Sequence, residues 1–256
     1  MDISFVIPAY NEETYIGECL DSVFRELGKS NYEAEVIVVN NASTDGTANV
    51  VARYKNVIVV NESRKGLTRA RQAGFLASKG DLVANIDADT RLTPGWMETV
   101  TAEFSKNPKL VGLSGPFVYY DLSWLTNLLV KFFYGIGFVM YLLNRYILKT
   151  SSMLQGGNFV VRRSALKKIH GFDTDIDFYG EDTDVARRLH KVGDVKFTFR
   201  LPMYSSGRRL ANEGVVMTGI RYAWNYFWVS FFKKPFTKTS TDVRSHTPEH
   251  PSGIGH

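Results

Sequence analysis

Two aspartates with one residue between them follow a short apolar run in GDLVANIDADT. The run Leu82–Ile86 predicts a buried strand, and Asp87 and Asp89 come directly after it. Residues two apart on an extended chain share a face, so both carboxylates are expected on one side. Carboxylate oxygens suit Mg²⁺ and Mn²⁺, which also take substrate phosphates as ligands. On the spacing alone, a divalent-cation site and a turn with solvated acids both stay open, and the turn is the more common of the two.

A second acidic pair, Glu181 and Asp182, opens the predicted helix of GEDTDVARRLHKVG. A carboxylate placed beside an acceptor hydroxyl can remove its proton as a general base. Acids in the first turn also complement a helix dipole, a role that Asp184 can fill as well. The two interpretations stay open on the residues alone.

Four basic residues are candidates for binding phosphate oxygens. Lys65 and Arg69 stand at a predicted helix start in NESRKGLTRARQAG. Arg208 and Arg209 stand in SSGRRLANEG, where we expect a flexible loop that closes over phosphates through forked arginine contacts. A solvated basic surface is the alternative for both stretches.

Apolar runs alternate with amphipathic stretches through the first part of the chain. The predicted strands and helices are Ile3–Ile7, Glu12–Leu27, Val36–Val39, Val57–Val60, Leu67–Ser78 and Leu82–Ile86. We take Pro8 to stop the first strand. Strands buried on both faces and alternating with helices predict an α/β fold with a mostly parallel sheet, which binds ligands at the carboxyl ends of its strands.

Five motifs together, by their order and spacing, resemble the family 2 glycosyltransferases and their GT-A fold. They are VIPAYNE, VVNNASTDGT, KGLTRARQAGFLASKGDLVANIDADT, GGNFVVRR and GFDTDIDFYGEDTDVARRL, within about Ile3 to Arg209. The resemblance implies a Rossmann-like nucleotide-sugar-binding domain, a divalent cation (Mn²⁺ or Mg²⁺) and inverting transfer of a sugar. It implies that Asp89 ligates the metal, that Asp87 contacts the ribose or the metal, and that Asp182, beside Glu181, is the catalytic base.

The resemblance also implies where the donor and the acceptor bind. Pro8, Tyr10 and Glu12 of VIPAYNE are expected among the donor-binding residues. Asn40 and Asn41 stand where many members of the family carry aspartate, so an amide oxygen would accept the nucleotide base N–H, and UDP- and GDP-sugars both stay open. The residues Gly156, Gly157 and Asn158 are expected on the acceptor side, since glycines admit close approach to the backbone, and a plain turn is the alternative.

Two other function classes fit parts of the sequence. A sugar-phosphate nucleotidyltransferase would share the sheet, but PAYNEETYIG stands where such enzymes tend to have a Gly-rich basic stretch. A noncatalytic nucleotide-sugar-binding module would not need both acidic pairs. We therefore favour a glycosyltransferase in cell-envelope polysaccharide or glycolipid synthesis.

The stretch Leu122–Leu148 is apolar and aromatic, with a narrow polar stripe at helical spacing. The stripe comprises Asn127, Lys131, Tyr134, Tyr141, Arg145 and Lys149. Such a helix lies in a membrane interface or covers a groove, and a spanning insert would separate the two acidic pairs. The predicted helix 215–232 is rich in tryptophan, tyrosine and phenylalanine and precedes two lysines, which suits a lipid headgroup layer.

These stretches predict the organisation of the chain. A GT-A domain is expected over 1–212, with a donor half 1–117, an apolar insert 118–150 and an acceptor half 151–212. An interfacial helix is expected over 213–236 and a disordered tail over 237–256. The acceptor is then expected to be a glycan or lipid-linked, such as a polyprenyl-linked sugar, a polyprenyl phosphate or a glycolipid.

The composition of the 256 residues bounds the compartment and the partners. A net charge of +5 suits phosphorylated ligands or an anionic membrane surface. The single cysteine, Cys19, excludes an intramolecular disulfide and fits a reducing compartment. The N-terminus lacks the pattern of a signal peptide, and no nucleic-acid-binding signature is present. We expect a cytoplasmic protein, peripheral on the inner face of the cytoplasmic membrane, with no nucleic acid partner.

Overall fold

The computed structural model describes residues 2–29, 32–148, 152–176, 179–232 and 236–237. Within these ranges the strands are, in chain order, β1 (Ile3–Ala9), β2 (Ala34–Asn40), β3 (Val57–Asn61), β4 (Leu82–Ile86), β5 (Thr90–Leu92), β6 (Leu110–Ser114), β7 (Phe117–Tyr119), β8 (Asn158–Arg162), β9 (Asp194–Phe197) and β10 (Met203–Ser205). The α-helices are α1 (Ile16–Leu27), α2 (Thr47–Val51), α3 (Leu67–Ala77), α4 (Trp96–Lys106), α5 (Trp124–Leu142), α6 (Arg163–Lys168), α7 (Glu181–Leu189), α8 (Arg208–Glu213) and α9 (Val215–Phe232). A π-helical segment, Leu143–Leu148, continues α5. Most of the predicted tail, from residue 238 onward, lies outside the described residues.

The larger sheet has the strand order β3-β2-β1-β4-β8-β6-β9. Its neighbours pair in parallel except at β8, which is antiparallel to β4 and to β6. The predicted mostly parallel α/β sheet is therefore confirmed. Because β8 lies between β4 and β6, the predicted halves 1–117 and 151–212 share one sheet. The antiparallel register pairs Ile86 with Asn158, so β8 begins where β4 ends.

Two apolar clusters cover the two faces of this sheet. Alternation along β1 sends Phe5 and Ile7 into one cluster with α1 and α4, and Val6 into the other with α3, α6 and α7. The expectation that every strand is buried on both faces is wrong for β3. This strand forms the sheet edge, and its residues Ile58 and Val59 are 42% and 48% exposed.

Two predicted boundaries near the N-terminus are corrected. Strand β1 continues through Pro8, which pairs with Val39 of β2. Pairing of β1 with β4 runs only from Ile3 to Val6, so Pro8 is accommodated where that side of the strand is no longer bonded to β4. Helix α1 begins at Ile16, four residues later than predicted, because the amides of Glu12 and Glu13 instead donate to the side chains of Thr47 and Asp45.

A smaller sheet has the strand order β5-β10-β7. Its strand β5 directly follows the turn that contains the two aspartates. In this sheet Ser205 pairs with Thr90 and with Tyr119. The flexible loop expected at 205–214 is instead strand end and helix α8. Asp121 fixes this turn, since its carboxylate accepts from Ser206 Oγ and from the Gly207 amide, each at 2.6 Å.

Candidate active site

A cleft of about 160 Å³ opens beside the carboxyl ends of β1 and β4. It receives both acidic pairs and five of the other predicted residues. The predicted residues that line it are Pro8, Glu12, Asp87, Asp89, Gly156, Glu181, Asp182, Arg208 and Arg209. The position agrees with the general rule for ligand sites in parallel α/β sheets.

The first acidic pair lies between β4 and β5. Asp87 and Asp89 both line the cleft, as does Ala88 between them, which is also part of an apolar core cluster. The Thr90 amide and hydroxyl donate to the carbonyl oxygen of Asp87 at 3.1 and 2.7 Å, which closes the turn. Both aspartates therefore reach the same cleft from one turn.

Arg71 of α3 joins the two acidic pairs and was not among the predicted site residues. Its side chain is fully buried. One guanidinium nitrogen, Nη2, lies 3.0 Å from Asp87 Oδ1, and the other, Nη1, forms an ion pair with Glu181 Oε1. The helical spacing of Leu67, Arg71 and Phe75 places this arginine on the inward face of α3, a signal that the sequence contained.

The second acidic pair forms the first turn of α7. Burial raises the pKa of Glu181 to about 7, although Arg71 acts in the opposite direction. Burial also raises the pKa of the half-buried Asp182, while two backbone N–H groups oppose the rise. These donors are Gly156, 3.1 Å from Oδ2, and Thr183, 2.7 Å from Oδ1.

Asp184, the alternative partner for the helix dipole, has a separate structural role. Its buried carboxylate pairs with Arg187 at 2.6 Å and with Arg188 at 2.7 Å. Asp184 is therefore neutralised within its own helix, and Asp182 faces the cleft.

The glycine pair lies between the two acidic pairs. Gly157 has φ +81°, and a Cβ there would stand 2.2 Å from Asp87 Oδ2. A Cβ at Gly156 would stand 3.1 Å from Glu181 Oε1. Larger residues would thus push the acidic pairs apart.

Asn158 differs from the prediction. Its side chain is fully buried, donates to the carbonyls of Gly115 and Leu201, and accepts from Trp96 Nε1 at 3.2 Å. It holds β8 to its neighbours and does not line the cleft, so its predicted contact with the acceptor is wrong.

Arg208 bridges two acids across the cleft. Its Nη2 lies 2.5 Å from Glu12 Oε1 and 2.9 Å from Asp89 Oδ2, and its guanidinium carbon lies 4.7 Å from the Tyr15 ring centroid. Arg209 also lines the cleft, and its Nη1 lies 3.0 Å from Glu213 Oε1.

Five predicted donor-binding residues lie outside the cleft lining, near the ends of β1 and β2 and the start of α3. Asn41 is buried, donates to the carbonyls of Glu62 and Arg64, and accepts from the Gly66 amide at 2.8 Å. Its amide is committed to shaping this loop, which corrects its predicted contact with the base. The others are Tyr10, Asn40, Lys65 and Arg69.

Contacts tie these four residues to the same loop. The Lys65 ammonium lies 3.8 Å from the Tyr10 ring centroid, and Arg69 Nη1 donates to the Lys65 carbonyl at 2.9 Å. The Asn40 side chain accepts from the Ser43 amide at 3.2 Å and donates to Asn61. These four residues form a more exposed group beside the cleft, at the carboxyl ends of β1 and β2.

Aromatic residues that sequence reasoning missed complete the cleft. Phe117, Tyr119, Tyr179 and Tyr222 line it. Desolvation raises the pKa of Tyr119, so its hydroxyl stays neutral. Because Tyr222 belongs to α9, the aromatic C-terminal helix forms part of the site wall.

Four described members of the polar stripe face the rest of the protein. The Asn127 side chain donates to the Tyr119 carbonyl, the Tyr134 hydroxyl accepts from the Phe117 amide, and Arg145 pairs with Asp194. Tyr141 is buried, Lys131 is exposed, and Lys149 lies outside the described residues.

The opposite side of α5 is apolar and exposed. Trp124 is 77%, Leu125 61% and Phe132 64% exposed. Helix α9, whose Tyr226 hydroxyl accepts from Asn144, also exposes Met217, Ile220 and Trp224. We call these exposed residues of α5 and α9 the outer apolar face.

By length and composition α5 and its extension, Trp124–Arg145, form one helix among the described residues that is apolar enough to cross a membrane.

The acids of the cleft fit a divalent cation that completes its shell from a ligand. Among the residues that the structure describes, no group of three or more His, Cys, Asp or Glu side chains is arranged to hold a metal ion. Asp87 and Asp89 supply hard oxygens, and a cation bound by one or two carboxylates commonly takes its other ligands from phosphates and water.

Residues 4–170 match glycosyl transferase family 2. A dolichyl-phosphate beta-glucosyltransferase, ALG5D, of Trichomonas vaginalis is 36% identical over 120 residues, which are 42% of this chain and 37% of the relative. A poly-beta-1,6-N-acetyl-D-glucosamine synthase of Staphylococcus epidermidis is 28% identical over 194 residues, 73% of this chain and 45% of the relative. The chain thus spans less than half of either relative.

A solved structure supports the fold. The mannosyltransferase PcManGT from Pyrobaculum calidifontis, in complex with GDP-Man and Mn²⁺, superposes with a TM-score of 0.67 at 18% identity. The match covers 88% of this chain and 62% of that one. At this identity the likeness bears on the fold, which is that of a GT-A glycosyltransferase.

Proposed function

This chain belongs to glycosyl transferase family 2, and from that premise we propose that it is an inverting, metal-assisted transferase that moves a sugar from a nucleotide-diphosphate sugar to a membrane-held acceptor. The observation that carries the proposal is the single cleft that contains both acidic pairs. Arg71 binds Asp87 of one pair and Glu181 of the other, so the two sites are coupled through one buried guanidinium.

The donor diphosphate binds at the Asp87–Asp89 turn. Asp89 and Asp87 would hold Mn²⁺ or Mg²⁺ there, and the bound cation would neutralise charge that develops on the departing diphosphate. The nucleoside lies along the sheet edge towards Tyr10 and Asn40. The relative solved with GDP-Man and Mn²⁺ supports this class of ligand, and UDP- and GDP-sugars are both candidates.

Asp182 removes the acceptor proton. An acceptor hydroxyl oxygen attacks the anomeric carbon from the side opposite the leaving group, its proton passes to a carboxylate oxygen of Asp182, and the nucleoside diphosphate departs. The configuration at the anomeric carbon is thereby inverted. The N–H groups of Gly156 and Thr183 each occupy one site on the carboxylate and leave lone pairs to take the proton.

Burial prepares Asp182 for this step. Its pKa is raised, chiefly by desolvation, which makes its carboxylate a stronger base than a solvated aspartate. Glu181 helps to fix the geometry, because its ion pair with Arg71 anchors the start of α7 to the Asp87 turn.

The acceptor reaches the cleft from the outer apolar face. Tyr222 lines the cleft while Ile220 and Trp224 of the same helix are exposed, so α9 connects the site with the surface. Apolar residues exposed on two adjoining helices suit burial in a lipid headgroup layer. A polyprenyl-linked sugar or a glycolipid would present its hydroxyl there, with the protein on the cytoplasmic side. A polyprenyl phosphate would present an oxygen that is already ionised, and Asp182 would then position this acceptor instead of deprotonating it.

A pair of variants tests the proposed chemistry. Asp182→Asn should retain Mn²⁺-dependent binding of nucleoside diphosphate but lose turnover by roughly 100-fold or more, because the base is absent. Asp89→Ala should lose the Mn²⁺-dependent part of binding. Calorimetry measures binding, and release of nucleoside diphosphate from the donor measures turnover.

Asp81→Asn is the matched control. Asp81 is exposed at the opposite end of β4, so this variant should behave as the unmodified protein in both assays. Normal turnover by Asp182→Asn would falsify the assignment of the base.

A further inference from the structure

The Arg208 guanidinium lies where the proposed cation would bind. One nitrogen contacts Asp89 Oδ2 at 2.9 Å and Glu12 Oε1 at 2.5 Å. The Arg208 side chain is 17% exposed and the two carboxylates are 16% and 4% exposed. A positive side chain thus neutralises, in a partly dry site, the acid that would ligate the metal.

The backbone around Arg208 is fixed on both sides of the site. Asp121 holds Ser206 and Gly207, and Ser205 pairs with Thr90, the residue next to Asp89. The backbone of Arg208 therefore stays beside the Asp89 turn. Only its side chain has to move for the guanidinium to leave Asp89 and bind another acceptor. Arg209 makes a different contact, with Glu213 of its own helix.

Two effects disfavour binding of the cation in the absence of a nucleotide. The cation must separate Arg208 from Asp89, which costs a charge-assisted contact. It also finds few protein ligands, since no cluster of three or more acidic, histidine or cysteine side chains is arranged around it within the described ranges. A nucleoside diphosphate removes both disadvantages. Its oxygens can ligate the cation, and they can also accept hydrogen bonds from the displaced Arg208 guanidinium in a forked pair.

We propose that Arg208 is a built-in competitor for the divalent cation, and that it makes cation binding at Asp89 depend on the nucleoside diphosphate. The inference rests on the proposed function of the cleft. Arg208 is then a positioning residue that exchanges Asp89 for the diphosphate as the donor binds. The free protein holds the cation weakly, and the cation and nucleotide bind with positive coupling, each raising the affinity of the other by the same factor.

The test measures Mn²⁺ binding in the absence of nucleotide, by electron paramagnetic resonance of free Mn²⁺. Arg208→Gln should bind Mn²⁺ about tenfold more tightly than the unmodified protein, a ratio in the range of one partly buried ion pair. Arg209→Gln removes the same charge from the next residue without the contact to Asp89, and should change Mn²⁺ affinity by less than about threefold. Arg208→Lys, which keeps the charge, should leave it close to the unmodified value.

A second measurement separates this inference from the proposed function. The affinity for UDP and for GDP is measured by calorimetry with and without Mn²⁺, and the gain from Mn²⁺ should be smaller in Arg208→Gln than in the unmodified protein. Equal Mn²⁺ affinities of Arg208→Gln and Arg209→Gln, or an unchanged gain, would overturn the role of Arg208 alone. Failure of Mn²⁺ to strengthen nucleotide binding in the unmodified protein would overturn the proposed function as well. If Arg208→Gln does not fold, Arg208→Met replaces it in both measurements.

Discussion

The cleft and the outer apolar face differ in which side chains they bury and which they expose. In the cleft, charged groups point inward: Arg71 is fully buried and Glu181 is 5% exposed. On α5, polar groups also point inward, but towards backbone partners, while residues such as Trp124 and Phe132 face outward. In the cleft each buried charge meets an opposite charge, whereas on the outer apolar face many apolar side chains are exposed together.

The cleft and helix α5 also differ in the interactions that hold them in place. The cleft depends on ion pairs between α3, the β4–β5 turn and α7, which are far apart in sequence. Helix α5 depends on hydrogen bonds from a polar stripe, such as Tyr134 to Phe117 at 3.0 Å. Substitutions in the ion pairs of the cleft should therefore reduce both stability and turnover. Substitutions on the outer apolar face should reduce membrane binding alone.

The largest expected effect comes from Arg71→Met. The substitution leaves Asp87 and Glu181 without their shared cation, and loss of one member of a buried ion pair typically costs about 3–5 kcal/mol. We expect urea denaturation to show a loss of that size, together with loss of turnover. Arg69→Met, on the same helix but half-buried, is the control and should cost less than about 1 kcal/mol. Similar losses for the two variants would contradict the role given to Arg71.

The next effect is a pH dependence that Glu181 introduces. Its pKa is raised from 4.5 to about 7 in the folded protein. Between these values the folded protein keeps a proton that the unfolded chain has released, so the stabilisation is complete below pH 4.5 and is lost as pH rises through about 7. The free energy of unfolding is compared by urea denaturation at about pH 5 and about pH 8. The unmodified protein should lose roughly 2 kcal/mol from this group over that range, and Glu181→Gln should not show that loss.

The exposed Glu98 provides the control for this pH effect. Glu98→Gln should keep the pH dependence of the unmodified protein, since this side chain is solvated. An equal decline in Glu181→Gln and Glu98→Gln would contradict the raised pKa of Glu181.

A smaller effect is expected on the outer apolar face. The double substitution Trp124→Glu and Phe132→Glu should weaken binding to anionic phospholipid vesicles by about 10- to 100-fold, because two apolar contacts with lipid are lost. Co-sedimentation with the vesicles measures this binding, and the melting temperature should stay nearly unchanged. Leu76→Glu alters a residue of α3 that is 69% exposed and should leave vesicle binding intact. Equal binding by the double variant and Leu76→Glu would show that α5 does not meet the membrane.

The sequence predicted elements whose own residues determine them. Strand β4 has the predicted bounds because five consecutive buried residues end at a pair of acids. Helix α9 has its predicted bounds as well, since Gly214 precedes it and a lysine pair follows Phe232. The two acidic pairs were identified by composition and order, and the structure brings them into one cleft.

Features that depend on partners distant in sequence were missed. The smaller sheet needs Thr90, Ser205 and Tyr119 to meet, and three-residue strands carry little pattern of their own. Asn158 follows two glycines, as a loop residue would, but Trp96 and two distant carbonyls make it a core residue. Arg71 was passed over for the more exposed Lys65 and Arg69: its spacing indicated the inward face of α3, but its role depends on acidic partners that are distant in sequence.

Calorimetric titration of UDP and of GDP into the unmodified protein, with and without Mn²⁺, tests most directly whether the Asp87–Asp89 turn receives a diphosphate through a cation. We predict that at least one of the two nucleotides binds about tenfold or more tightly when Mn²⁺ is present. Equal affinities with and without Mn²⁺ for both nucleotides would contradict the account.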